Sequence, residues 1–285
     1  MGFLFLSILC GTAIVVIFRL IDLWKVNKLE AIIINYLVAF LTGLMINIKD
    51  LSSFHIPSSG WIVAALVIGV LFVVMFYVLG LTVAGTGISI ATIAAKMSVA
   101  IPILFSIVAY GESVTLLKIS GITLAVISLA LVLYTGTGLP DRKVLLFPVL
   151  LFLGMGMVDT TVKIAQQQFV SPGDLLSFST ILFLVSFLTS ILARTGSKPF
   201  FFRFHRKLLV TGILLGLVNL GSLYFFISAL ESGFRDSSLI FGMNNIGIVS
   251  LSVFTGIVFF REKLNRINWI GIFIALISLY LLYTA

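Results

Sequence analysis

Apolar residues run in blocks of about twenty along this chain, separated by short charge clusters or by Gly, Pro, Asn and Ser. A helix crosses the hydrocarbon core of a bilayer in roughly 20 residues and satisfies its own backbone polar groups. The blocks predict ten such helices, at 3–21, 29–48, 61–81, 84–109, 115–134, 144–164, 174–193, 207–230, 236–260 and 266–284. None alternates polar and apolar positions, which excludes a transmembrane barrel. The first block lacks a basic leader and a small-x-small cleavage site, so it is expected to persist as a span.

Composition agrees. The 285 residues are 60% hydrophobic and 10% charged, with a mean hydropathy of +1.25. Soluble domains are about 45–50% apolar and about 25% charged, so this much apolar surface cannot be hidden in one water-soluble globule. The net charge of +8 falls in clusters flanking the apolar blocks rather than in an aromatic-interleaved stripe, which argues against nucleic acid as a partner. The single Cys10 forms no internal disulfide, and His55 and His205 lie in hydrophilic connections, so no metal or other cofactor is expected. The expected setting is the cell (plasma or inner) membrane, with multiple passes.

The chain contains itself twice. Tyr110-Gly111-Glu112 precedes a span carrying Gly121, Ala125, Ile127, Ser128 and Leu129; Phe260-Arg261-Glu262 precedes one carrying Gly271, Ala275, Ile277, Ser278 and Leu279. Each pair is 150 residues apart, while Arg19 matches Lys163 and Glu30 matches Asp174 at 144. The longer connection around Arg194–Lys207 absorbs the difference. Residues 1–138 thus form a first five-helix repeat and 144–285 a second, with 139–143 as junction, where Asp141-Arg142-Lys143 follows the Gly136–Pro140 stretch. Five is odd, so the second half enters the membrane inverted. Inverted repeats recur in secondary transporters, where two related halves exchange conformations around a central site. The fold class expected is all-α integral membrane, with ten transmembrane helices in two inverted five-helix repeats.

Two five-span halves, each with a Glu between its fourth and fifth spans and a Gly-centred helix after it, resemble the EamA-type drug/metabolite transporter family over nearly the whole chain. The resemblance implies a permease for amino acids, other metabolites or toxic compounds. It also implies a central cavity lined by the first, third and fourth spans of each half, with the fifth spans outside it. One departure stands out: Pro102 lies ten residues before Glu112, but Ser252 takes the matching place before Glu262, so the halves are expected to bend differently there.

Lys96 is the sharpest single residue. It sits near the middle of the fourth span, where an ammonium costs at least ~2.5–3.5 kcal/mol to insert. Its helical face carries Ser89, Thr92, Ala100 and Ile103, which suits a cavity wall better than lipid. The alternative is that Lys96 snorkels or pairs internally. Asn244 and Asn245 stand at the repeat positions of Ala94 and Ala95, and Asn245 shares a face with Ser238, Gly242 and Ser252. They either hydrogen-bond a substrate across from Lys96 or hold helices together, at ~0.6 kcal/mol per bond.

Asp159 and Lys163, four residues apart, are placed to pair on one helical face. They read either as the proton- or ion-coupling groups of a carrier or as a structural pair near a helix end. Tyr77, Asn219 and Tyr224 are further substrate-binding candidates. Glu112 and Glu262 fall in tight turns before Thr115 and Asn265, which cap the next helices, and are read as structural. The small-residue faces of the fifth and tenth spans are read as packing seams, either between the halves or between protomers.

The function expected is secondary-active transport of a small metabolite through a central cavity by alternating access, as an exporter. Lys96 with nearby carboxamides favours a carboxylate-bearing substrate such as an amino acid. The alternatives are a passive channel, which would favour a ring of like groups, or a structural membrane protein. An enzyme is not expected, since Asp159 is the one carboxylate well inside a span and no histidine lies in one. The partners are a small-molecule substrate and the lipid bilayer; the chain is taken as a monomer, with a dimer as the alternative. On one side, 13 Lys and Arg flank the spans, against Lys49, Lys118, Lys163 and Arg235 on the other. The positive-inside rule then puts both termini outside, whereas the resemblance implies both in the cytoplasm.

Overall fold

The computed structural model describes residues 1–47, 59–134, 142–170, 174–195, 205–232 and 237–285. Residues 139–141 of the junction, along with His55, lie outside them. The described chain is helical: α1 (Gly2–Leu23), α2 (Lys28–Asn47), α3 (Ser59–Thr86), α4 (Ile88–Met97), α5 (Ala100–Tyr110), α6 (Leu116–Val132), α7 (Arg142–Gln168), α8 (Leu175–Thr195), α9 (Arg206–Glu231), α10 (Ser237–Val258) and α11 (Arg266–Thr284). Among the described residues nine helical stretches are long and apolar enough to cross a membrane, with α4 and α5 counted as one, and α6 is a shorter apolar helix of 17 residues.

Large apolar side chains point outward as well as inward. Met45, Val108, Leu116, Leu192 and Phe259 are all at least 70% exposed. A soluble monomer rarely shows such surface, whereas lipid is its natural solvent. This is the architecture of a helical, multi-pass membrane protein.

The 84–109 block departs from the single span expected of it. Residues 84–86 complete α3, and Gly87 turns the chain at φ +90°, a conformation L side chains rarely adopt. The remainder breaks at Ser98–Val99. Pro102 has no N–H to return to the Ser98 carbonyl, and Ile101 N–H takes that carbonyl instead at 2.9 Å. α10, which carries Ser252 150 residues after Pro102, runs unbroken.

The small-residue faces pack against each other within the chain. Gly121, Ala125, Ser128 and Val132 of α6 are buried with Gly271, Ala275, Ser278 and Leu282 of α11. Ser278 Oγ donates to the Gly121 carbonyl at 2.8 Å, and Asn268 Nδ2 donates to the last carbonyls of α6, including those of Val132 and Tyr134 at 2.9 Å. Those carbonyls lack intrahelical partners, so the amide closes the helix end.

The two glutamate turns share their geometry. Gly111 and Arg261 both have positive φ, at 65° and 54°. Glu112 N–H reaches the Ser106 carbonyl and Glu262 N–H the Gly256 carbonyl. Thr115 and Asn265 then cap α6 and α11 by accepting from the backbone N–H three residues on.

Candidate functional site

The break between α4 and α5 places Lys96 in the last turn of α4. Unpaired carbonyls at a helix C-terminus favour a cation there, which offsets part of the cost of holding an ammonium in the bundle. Lys96 is half-buried. On α7, a side chain at Gly156 would collide with Ile101, so α5 and α7 approach closely one turn before Asp159. That contact brings the Asp159 carboxylate to the α4–α5 break, where it accepts from Ser98 Oγ at 3.4 Å. Lys96 and Asp159 do not form an ion pair with each other.

Two further helices carry a polar pair near this break. Asn245 on α10, which packs on α4, donates from Nδ2 to the Tyr283 hydroxyl on α11 at 2.7 Å. Its neighbour Asn244 is 8% exposed and leaves its Oδ1 without a partner, as does the Oγ of fully buried Ser252. An orphaned buried acceptor costs ~1–3 kcal/mol. The α4–α5 break thus offers a cation and an anion, and α10, which packs on α4, offers polar atoms without partners. It is chemistry suited to binding a small polar solute. Among the described residues no group of His, Cys, Asp or Glu could hold a metal ion.

Sequence reading missed Tyr283 and Ser98. Tyr283 has one legible signal: the repeat partner at that position is Leu133, so a hydroxyl stands where the other half has none.

Several predicted residues go elsewhere. Lys163 does not pair with Asp159. It turns to Ser106 Oγ at 2.5 Å and to Glu112 at 3.4 Å, because α5 and the turn after it bring a hydroxyl and a carboxylate to that end of α7. Glu112 also holds Lys118 at 3.1 Å, and the hydrogen bond from Lys118, with the charge of Lys163 beside it, keeps its carboxyl below the usual range. Thr92 is buried and returns its hydroxyl to the Ile88 carbonyl at 2.9 Å, as a mid-helix threonine without water does. Ser89, predicted on the Lys96 face, bonds to Glu262 instead.

Asn219 donates to Asn35 Oδ1 at 3.2 Å and joins α9 to α2. Tyr77 lies on the exposed stripe of α3 with Val70 and Val74. Tyr224 is half-buried and packs edge-on to Phe225, with ring centroids 5.5 Å apart.

No family model matches the chain. A protein of Haemophilus influenzae (strain ATCC 51907 / DSM 11121 / KW20 / Rd), itself described as uncharacterized, is 27% identical over 292 aligned positions, covering 98% of this chain and 97% of that one. A protein solved by crystallography is similar in fold, with a TM-score of 0.66 at 14% identity over 98% of this chain and 94% of its own. At that identity the likeness speaks for the fold alone.

Proposed function

We propose that the chain is a carrier of the EamA-type drug/metabolite kind, built from two inverted five-helix halves, that exports a small metabolite by alternating access. The observation that carries this reading is the pair of charges at the α4–α5 break, with Lys96 in the last turn of α4 and Asp159 on α7 bonded to Ser98, beside which α10 with its Asn245–Tyr283 bond packs on α4. Charged groups in the membrane interior mark solute and ion pathways, and a discontinuous helix at their depth is a recurrent carrier feature. The matched glutamate turns at Glu112 and Glu262 support the two-half reading.

In this mechanism Lys96 takes the anionic group of the substrate, and Asn244 receives a donor at its open Oδ1. Asp159 is the coupling group. Lys163, tied to Ser106 and Glu112, serves the end of the bundle instead. The substrate class favoured is a carboxylate such as an amino acid, and the membrane is the cell membrane.

The test is efflux of a mixed metabolite pool from proteoliposomes, read by mass spectrometry, for the parent and Lys96→Ala. Release of one compound class by the parent and its retention by the variant support a carrier with this site. Equal release of everything from both favours the passive channel.

A further inference from the structure

The Glu262 carboxylate reaches out of its turn into the other half of the chain. It accepts from the backbone N–H of Ile88, from Ser89 N–H at 3.1 Å and from Ser89 Oγ at 2.6 Å. These are the first residues of α4, so a full anion sits on the orphan donors of a ten-residue helix. Two glycines make room for it. A side chain at Gly87 or Gly256 would run into the carboxylate, and the φ of +90° at Gly87 strains any replacement further. The contact joins the α10–α11 turn to the corner where α3 passes into α4.

At the opposite end the matching glutamate behaves differently. Glu112 binds the ammonium groups of Lys118 and Lys163. Lys163 is the residue that Arg19 matches in the first half. Arg19 itself is poorly engaged among the described residues: it pairs with Asp22 at 3.4 Å, Asp22 is shared with Lys28 at 3.2 Å, and the Arg19 Nε is buried with no partner there. Gly80 on α3, two turns before Gly87, packs on Phe18, the residue before Arg19.

The helix packing is unequal in the same sense. α1 packs along α3 and also meets α4, whereas no comparable packing joins α7, the counterpart of α1, to α9 or α10 among the described residues. Toward the end where Glu262 is docked, α1 meets α3 at Phe18 and Gly80.

We propose that Glu262 is the latch of one gate: docked on the N-terminus of α4 it holds the α1, α3 and α4 ends together, and it releases them by passing its carboxylate to Arg19. The pairing of Glu112 with Lys163 shows what a glutamate in this turn does when undocked. The cradle is one-sided, because Gly87 and Gly256 correspond to Ser237 and Ser106 in the other half. Control of this gate therefore rests on Glu262 alone. The inference rests on the two-half carrier reading for its correspondences.

The test is the reaction rate of a cysteine at Val83, which is fully buried beside the α3–α4 corner, in the full-length protein with Cys10→Ser, using a small methanethiosulfonate reagent. Glu262→Gln is expected to raise the rate about tenfold and Glu262→Asp by less. Arg19→Gln is expected to leave it at or below the parent rate, since the latch then has nowhere else to go. A rate within twofold of the parent in Glu262→Gln overturns the proposal. So does a rise in Arg19→Gln equal to that in Glu262→Gln, which would mark both as mere packing groups. Labelling needs no substrate. Absent efflux of the metabolite pool from the parent thus removes the carrier reading without touching the latch, while efflux with labelling unmoved by Glu262→Gln removes the latch alone.

Discussion

Asn245 on α10 donates to the hydroxyl of Tyr283 on α11 at 2.7 Å. The bond ties the last helix to α10, and no spacing in the chain announces it. Tyr283→Phe leaves the Asn245 amide short of a partner, which costs ~1–3 kcal/mol when the group is buried. The expected outcome is a lower melting temperature in detergent, with partial recovery in Tyr283→Phe/Asn245→Leu. Equal melting for Tyr283→Phe and the parent would show the bond to be idle.

Lys96 and Asp159 separate binding from coupling. Lys96→Gln keeps length and polarity but removes the charge, and it is expected to raise the apparent KM for efflux by about ten- to a hundredfold, or ~1.4 kcal/mol per factor of ten. Asp159→Asn is expected to abolish proton-driven flux and spare passive exchange between loaded vesicles. Driven flux at the parent rate in Asp159→Asn rules out its coupling role.

The Glu112 carboxyl is held below its ordinary value of 4.5, first by the Lys118 hydrogen bond and then by Lys163. A group depressed in the folded state contributes stability that is complete above its unfolded pKa and is lost as pH falls through the folded one. The contribution is therefore full at neutral pH and declines only in acid, below about pH 4.5. It is small, because the carboxylate is 38% exposed and partly screened. Melting temperature against pH should fall less steeply on the acid side for Glu112→Gln than for the parent; parallel curves would count against the link.

The α6–α11 seam distinguishes its two glycines. A Cβ at Gly271 would meet the backbone N of Val132 at 2.9 Å, whereas one at Gly121 meets chiefly the movable end of Leu282. Gly271→Ala should accordingly destabilise by ~1–3 kcal/mol through overpacking, and Gly121→Ala by less. Comparable melting temperatures for the two variants would contradict this geometry.

Orientation is testable with exposed positions at the two ends of the bundle. In a Cys10→Ser background, His205→Cys and Ser113→Cys lie before α9 and in the α5–α6 turn. The excess of Lys and Arg on the His205 side places that side in the cytoplasm. An impermeant thiol reagent on intact cells is then expected to label Ser113→Cys alone; labelling of His205→Cys alone would reverse the topology.

The helical, multi-pass character and most span boundaries were legible, the broken 84–109 block aside, because lipid is a uniform apolar solvent. In it, every crossing helix needs the same length of apolar sequence and satisfies its own backbone. Gly121, Ala125 and Ser128 could likewise be read as a seam, since small residues at helical spacing permit close approach. Their partner, the matching face of α11, could not be read, because a small-residue stripe does not name what it packs on.

The sequence by itself determined a helical chain with ten apolar blocks, an internal correspondence at 150 residues, and Lys96 and Asp159 as charges that must be accommodated inside it. Only the tertiary structure decided who meets whom. It turned Lys163 from Asp159 to Ser106 and Glu112, closed Thr92 on its own backbone, and carried Glu262 to Gly87 and Ile88. The physical reason is that helical spacing fixes only neighbours three or four residues apart on one helix. Each of the decisive partners except Thr92's comes from a different helix or turn, where a missing side chain, as at Gly156 against Ile101 and at Gly87 against Glu262, makes room for the contact.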